Sequence, residues 1–469
     1  RDILLTMVKI NAPRASLRKR QGSKMSAQTI LMLILGCIVT GFLLMTYSIQ
    51  HAETAPAASS SAGHTPAVPA GASVAVSDPK KGVVVPANNI VSSAATTIAY
   101  AVSITGCGSD PLSEGAAVLA HSVHQASVRY SGSNARYDYK MYAIVHPDGM
   151  KCGSQLAELG YTVLKRETPV AVKDIQGEFL RTHIEANGCC GEKELIKLEA
   201  YTLVDHPIVV HMDLDTLVLK PLDHLFDLML GKTTDASKIN PMWDHNPVPK
   251  QVNAFFTRDY NMVHADTKYK PVQGGFLVLR PSMDTYKDFV DIVREGDFRK
   301  GGGWGGKVGP FYGSMTFQGI IPYYYDYLHP GSALEVNRCV YNQMCDNPRD
   351  KRTVDDVVSG NCRTGETDCE DCRSRPLEDV ITNHFTLCQK PWWCLPQEGD
   401  RIQERLCRKL HAQWYRIRSD LETSWGRSGQ GPGTYQEDQF HGYCKQHGKH
   451  GYIPIAKPFG QAADYAKSA

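Results

Sequence analysis

Two carboxylates close an apolar run. Ile208, Val209, Val210, His211 and Met212 lead straight into Asp213-Leu214-Asp215. Successive strand residues face opposite ways, so Asp213 and Asp215 project to the same side. Paired oxygen ligands at a strand tip suit a hard divalent cation. About one such pair is expected by chance in a chain this long, and alone it reads as a loop of surface acids. The context is what changes the reading: an apolar strand before it, and the apolar run Thr216-Leu217-Val218-Leu219 with Pro221 after it.

The elements that must position this pair alternate. Strand runs fall at 98–105, 140–146, 161–167, 207–215 and 274–280. Helical periods fall at 114–127, 192–204 and 282–296, and a charged amphipathic helix at 400–425. Such alternation predicts an α/β fold with a mostly parallel sheet flanked by helices. In sheets of this kind ligands bind at the carboxyl ends of strands, which is where the two acids stand.

Charge is unevenly placed along the 469 residues. The first 26 carry a net +6 and the remainder −4, for a total of +2. A mildly acidic body argues against a nucleic-acid partner. Thr29–Tyr47 is an uncharged run of 19 residues behind six basic ones. That is long enough for a transmembrane helix, and the flanking charge keeps its amino end cytosolic. A cleaved signal peptide is the alternative. The predicted order is a basic tail (1–28), a signal-anchor (29–47), an Ala/Pro/Ser-rich stem (48–95), a catalytic domain (96–395) and a Cys-containing helical extension (396–469). The layout is that of a single-pass type II protein in a Golgi or other secretory-pathway membrane. Of 14 cysteines, 13 lie beyond the anchor segment, which predicts disulfides in an oxidising lumen and at least one odd thiol.

Three blocks resemble glycosyltransferase family 8, the glycogenin-like nucleotide-sugar transferases. They are KLEAYTLVDHPIVVHMDLDTLVLKPLDHLF (197–226), GGFLVLRPSMDTYKDF (274–289) and HFTLCQKPWW (384–393). The resemblance spans roughly residues 97–395 and implies insertions near 231–270 and 328–375. It implies a GT-A-like fold and a retaining, metal-dependent transfer of a hexosyl or pentosyl group. The donor would be a nucleotide diphosphate sugar of the UDP-sugar type, and the acceptor a glycan or protein. Carried over residue by residue, Asp213, Asp215 and His384 would hold Mn²⁺. Lys390 would meet the diphosphate, while Lys197, Gln273 and Gln318 would face the donor sugar. Cys388 stands where the family has Gly, which predicts a crowded phosphate loop. Phe317 stands where the family has Asp, and Leu112 falls in the segment that often stacks an aromatic ring on the base. Cys388 and Phe317 keep open a catalytically inactive relative that binds glycans or nucleotide sugars. A disulfide-rich surface protein with a merely structural α/β body is a third class.

Three further patterns are weaker. GGGWGGKVG (301–309) lacks a P-loop ending and reads as a mobile loop. Cys369-x-x-Cys372 is a zinc pattern that in a lumen reads as disulfides. His441, Cys444, His447 and His450 read as a basic tail.

Overall fold

The computed structural model describes residues 95–426, save 109–111, 234, 236–238, 240–247, 354–356 and 395–401, together with 443–444 and 452–455. The anchor, the stem and three of the four residues of the terminal His/Cys pattern lie outside the described residues; Cys444 lies within them. Among the described residues no helix is long and apolar enough to cross a membrane.

The central sheet has seven strands: β1 (Thr97–Ile104), β2 (Asp138–Val145), β3 (Thr162–Lys165), β4 (Val209–Met212), then β6 (Ala254–Arg258), β7 (Val272–Leu279) and β8 (Ala333–Glu335). The label β5 is kept for Thr216–Val218 and β9 for Thr382–His384, which form a separate pair. The sheet order is β8-β6-β7-β4-β1-β2-β3. All neighbours are parallel except around β7, which runs against both β4 and β6. The sheet is thus mixed and mostly parallel, as the alternation predicts. Strands β6 and β8 fall in the stretches read as insertions. β6 is short and almost wholly buried, and β8 has three residues of which only Leu334 is buried, so neither shows a period-2 signal long enough to find.

Alternation along the strands feeds two cores. Ile98, Tyr100, Val102 and Ile104 of β1 join Val210 and Met212 of β4 on one face. Ala99, Ala101 and Val209 face the other, with Leu277 and Leu279. Burying both faces is what all-apolar strands between helices are for. A third core lies beyond the sheet. Trp414, Tyr415, Leu410 and Cys407 of the helix Ile402–Ser424 pack with Phe385, Cys388 and Trp392.

The segment Gly191–Thr202 is a 3₁₀ helix rather than the α-helix its pattern predicts. In that geometry side chains at i and i+3 eclipse, which aligns Glu194 with Lys197. The glycine-rich run also departs from expectation. Trp304 is fully buried and its indole N–H donates to Ser314 O at 2.7 Å, so the loop is pinned to the core. Tyr324 and Tyr325 are buried, and the Tyr325 hydroxyl meets that of Tyr201 at 3.0 Å, so these rings serve packing.

Candidate active site

Asp213 follows the last residue of β4. Because β7 is antiparallel to β4, the amino end of β7 arrives beside the carboxyl end of β4. Met212 pairs with Phe276, and Asp213 N–H donates to Gly275 O at 3.2 Å. That register places Gln273, Gly274 and Gly275 next to the two acids. His384 comes from the other end of the chain. β9 pairs antiparallel with β5, setting His384 opposite Thr216, and Phe385 N–H donates to Asp215 O at 2.8 Å.

The three side chains meet. One ligand atom from each of Asp213, Asp215 and His384 lies within 4.8 Å of the others. His384 Nε2 is 3.3 Å from Asp215 Oδ2 and 4.0 Å from Asp213 Oδ2. Each carboxylate also carries a lysine. Lys197 Nζ donates to Asp213 Oδ1 at 2.9 Å and to Gly274 O at 3.1 Å, with Glu194 Oε1 at 3.9 Å. Lys390 Nζ donates to Asp215 Oδ2.

The two lysines differ in setting. The Lys197 side chain is 8% exposed and that of Lys390 is 23% exposed. Burial alone would pull the Lys197 ammonium down, but Asp213 and Glu194 outweigh it and hold the group charged. Burial likewise pushes Asp213 up, and the charge of Lys197, then of His384, overcomes this to hold the carboxyl at about 2. Burial lowers His384 to about 4 against the pull of Asp213. At neutral pH the imidazole is therefore neutral and has a lone pair to offer. Asp213, Asp215 on its lysine, and one neutral imidazole make a donor set of oxygen and nitrogen suited to a divalent cation such as Mn²⁺.

The His384 ring rests on bare backbone. A Cβ on Gly275 would stand 2.5 Å from His384 Nδ1 and nearer still to Cε1. Only glycine leaves room for the ring there. Gln273 is 6% exposed, and its amide oxygen accepts from Gly275 N at 2.6 Å and from Asn342 Nδ2 at 3.3 Å. Gln318 is the second residue of the helix Phe317–Pro322 and packs over Gly313, with Gly274 beside it. Phe317 is fully buried, and Lys197 Nζ lies 5.7 Å from its ring centroid. Leu112 begins the helix Leu112–Gln125 and packs against the first core.

Cys388, expected to crowd its loop, has its sulfur taken up in the interior instead. It is 1% exposed and bonded to Cys407 of the terminal helix. Around it, Cys394 is bonded to Cys444, His411 Nε2 lies 2.6 Å from Gln389 O, and the Tyr415 hydroxyl donates to Pro391 O. Gln389-Lys390-Pro391 is thus held from behind by residues C-terminal to it. The zinc pattern is also resolved. Cys369 pairs with Cys362, and Cys372 with Cys339. A fifth disulfide joins Cys107 and Cys152.

Buried polar groups that the sequence pattern does not single out lie beneath the site. Asn342 adopts φ 55°, donates to Thr257 Oγ1 at 2.9 Å, and leaves its own Oδ1 buried without a hydrogen bond. Asp259 is 4% exposed; burial first, then the charge of Asp346, raises it to about 6. An acid raised in the fold binds its proton more tightly there than in the unfolded chain. Stability is therefore present at low pH and is lost as pH climbs from about 4 through 6. Asp259→Asn keeps an acceptor for Asn261 N–H and removes that loss. It is expected to stabilise the protein at pH 7 by on the order of 1–3 kcal/mol and by little at pH 4, in chelator, by urea unfolding. Equal effects at both pH values would overturn the assignment.

No family profile matches the sequence, and no curated protein does. Among solved structures the chain is similar to mouse xyloside xylosyltransferase 1, at 13% identity and a TM-score of 0.38, covering 63% of this chain and 99% of that one. It is also similar to the galactosyltransferase LgtC in complex with donor and acceptor sugar analogues, at 13% identity and a TM-score of 0.34, covering 68% and 96%. A third is the glycosyltransferase GlyE of Streptococcus pneumoniae, at 12% identity and a TM-score of 0.35, covering 73% and 66%. These TM-scores are low, and the functional reading stands on the site's own geometry.

Proposed function

We propose that this chain is a retaining, metal-dependent glycosyltransferase of GT-A-like fold. It moves a hexosyl or pentosyl group from a UDP-sugar to a glycan or protein acceptor. One observation carries the reading: two segments distant in sequence converge to set Asp213, Asp215 and His384 within 4.8 Å of one another, with a lysine on each carboxylate.

The charge balance favours a diphosphate. Three carboxylates (Asp213, Asp215 and Glu194) and two ammonium groups leave one negative charge, so a bound divalent cation makes the site net positive, matched to an anionic diphosphate. When bound, such a cation neutralises the charge that develops on the departing diphosphate. Asp213, Asp215 and His384 hold it. Lys390, the more exposed lysine, exchanges Asp215 for a phosphate oxygen. Lys197 is buried and shared between Asp213, Glu194 and Gly274 O, so its task is to fix Asp213. The Gln273 amide oxygen is spent inside the fold, which leaves its NH₂ for the donor sugar, and Gln318 stands beside Gly274. Position 317 supplies no carboxylate, and the scheme consistent with this is attack on the face from which the diphosphate leaves. The N-terminal apolar run and the five disulfides fit a type II anchor and a lumenal body in a Golgi or other secretory-pathway membrane.

The core position of Phe317 favours one rival, a relative that binds nucleotide sugars without turning them over. A panel of nucleotide sugars, incubated with the full chain and Mn²⁺, separates the two. Release of UDP that stops on adding chelator is the expected result. Mn²⁺-dependent binding without release selects the rival, and neither binding nor release rejects both.

A further inference from the structure

Two of the free thiols among the described residues are neighbours. Cys189 is exposed and Cys190 partly so, whereas Cys345 is buried. The Cys189 and Cys190 sulfurs lie 2.8 Å apart, closer than non-bonded sulfurs sit at rest and about 0.8 Å beyond the ~2.05 Å of a disulfide.

The turn that holds them is fixed from both sides. Gly188 has φ +69° and Gly191 φ +60°, backbone that L side chains rarely adopt. A Cβ on Gly191 would strike Glu185 O, and one on Gly188 would stand 3.4 Å from Gly313 Cα. Asn187 Oδ1 accepts from Met315 N at 3.0 Å, which ties the turn to the loop before Gln318. Cys189 Sγ donates to Glu194 Oε1 at 3.4 Å, and Glu194 Oε2 accepts from Thr316 Oγ1 at 2.6 Å. The pair therefore stands at the outer end of the contacts that reach Lys197 through Glu194.

We infer that Cys189 and Cys190 form a vicinal dithiol site that small disulfides of the oxidised-glutathione type convert reversibly to a vicinal disulfide. The exposed turn admits such a reagent, and its preset shape holds the second thiol against the first. Cys190 attacks one sulfur of the reagent as thiolate. The reagent's S–S bond breaks, a mixed disulfide forms on Cys190, and one thiolate departs. That thiolate takes the Cys189 proton. Cys189, now a thiolate, attacks Cys190 Sγ, closes the Cys189–Cys190 bond and expels the second thiolate, which takes from water the proton that Cys190 had given up. The protein dithiol is oxidised, and one reagent disulfide is reduced to two thiols. With its hydrogen turned from Glu194 to Cys190, the Cys189 thiol favours the Cys190 thiolate against the opposing effect of burial and lowers that thiol to about 7, which fits its role as attacker. Cys345, pushed well up by burial, is the internal control.

The test uses the full chain. It is treated with oxidised glutathione, blocked with a maleimide, digested with trypsin and read by mass spectrometry. Cleavage after Arg181 and Lys193 yields a peptide with these two cysteines alone. The expected peptide is lighter by two hydrogen atoms, carries neither glutathione nor maleimide, and regains both hydrogens with a thiol reductant. Cys189→Ser should stop at the mixed disulfide, with glutathione retained on Cys190. Maleimide on both cysteines, glutathione retained on the parent peptide, or a disulfide-linked dimer would each overturn the inference. So would a Cys189→Ser chain that takes up no glutathione.

Discussion

Asp215→Asn is expected to leave the chain folded and to abolish its Mn²⁺-dependent activity, while Asp213→Asn is expected to lose both activity and stability. The difference lies in the lysines. Asp213 is the main counter-charge of Lys197, whose side chain is 8% exposed. Neutralising it leaves a buried ammonium short of its partner, a defect that costs roughly 3–5 kcal/mol. Lys197 keeps Gly274 O and Glu194, so the lower end, about 3 kcal/mol, is expected. The partner of Asp215 is Lys390, whose side chain is 23% exposed and can turn to water. Its loss should cost about 1 kcal/mol or less. Both changes remove a negative oxygen ligand. Since even an outer partner of a metal ligand is worth 10–100-fold in metal affinity, a ligand itself should be worth at least roughly 100-fold. Denaturant unfolding and Mn²⁺ titration by calorimetry read the two effects apart. If Asp215→Asn binds Mn²⁺ like the parent, the metal site is misassigned. If Asp213→Asn unfolds like the parent, Lys197 is not held by that carboxylate.

How much of this was legible in the sequence depends on where each residue sits. Asp213 and Asp215 were legible because their strand is apolar and its end is abrupt. His384 was legible only through the block around it, since one histidine far along a chain carries no spacing signal. The β5–β9 ladder that delivers it is a pair of three-residue strands, too short to show a period. Cys388 was misjudged for a physical reason. A side chain replacing glycine was expected to point at the ligand, yet its sulfur is taken by Cys407, in a helix that the reading kept as an extension. Pairings among many cysteines cannot be deduced from sequence. Asn342 and Asp259 had no pattern at all, because each is a single polar residue in an irregular stretch. Glu194 had a weak one, three residues before Lys197, and the 3₁₀ geometry that makes the offset meaningful was not visible in the composition.

The second large effect is expected from a residue with no side chain. Gly275→Ala adds one methyl group 2.5 Å from His384 Nδ1, and closer to Cε1, where real contacts do not form. Something must move. The strand is held here by β4, where Met212 pairs with Phe276 and Asp213 N–H donates to Gly275 O, although its pairing with β6 is interrupted between Val272 and Leu277. Gln273 Oε1 also lies 3.0 Å from the new carbon, so the ring cannot settle that way without disturbing the Gln273–Gly275 turn. The imidazole therefore swings off the two carboxylates, and Mn²⁺ affinity should fall at least roughly tenfold, the scale of losing ligand orientation. Gly274→Ala is the contrast, one position away in the same strand. Its methyl group would stand 3.3 Å from Lys197 Nζ and 3.5 Å from the Phe317 ring. The lysine end is flexible and can yield by the few tenths of an ångström required. Mn²⁺ affinity is expected to stay within about threefold there, less than 1 kcal/mol. Calorimetry on both variants, with circular dichroism as a check on folding, decides the matter. A folded Gly275→Ala chain with parental Mn²⁺ affinity would mean that His384 is not a ligand. Equal losses in both variants would mean that the glycine pair serves the strand rather than the histidine.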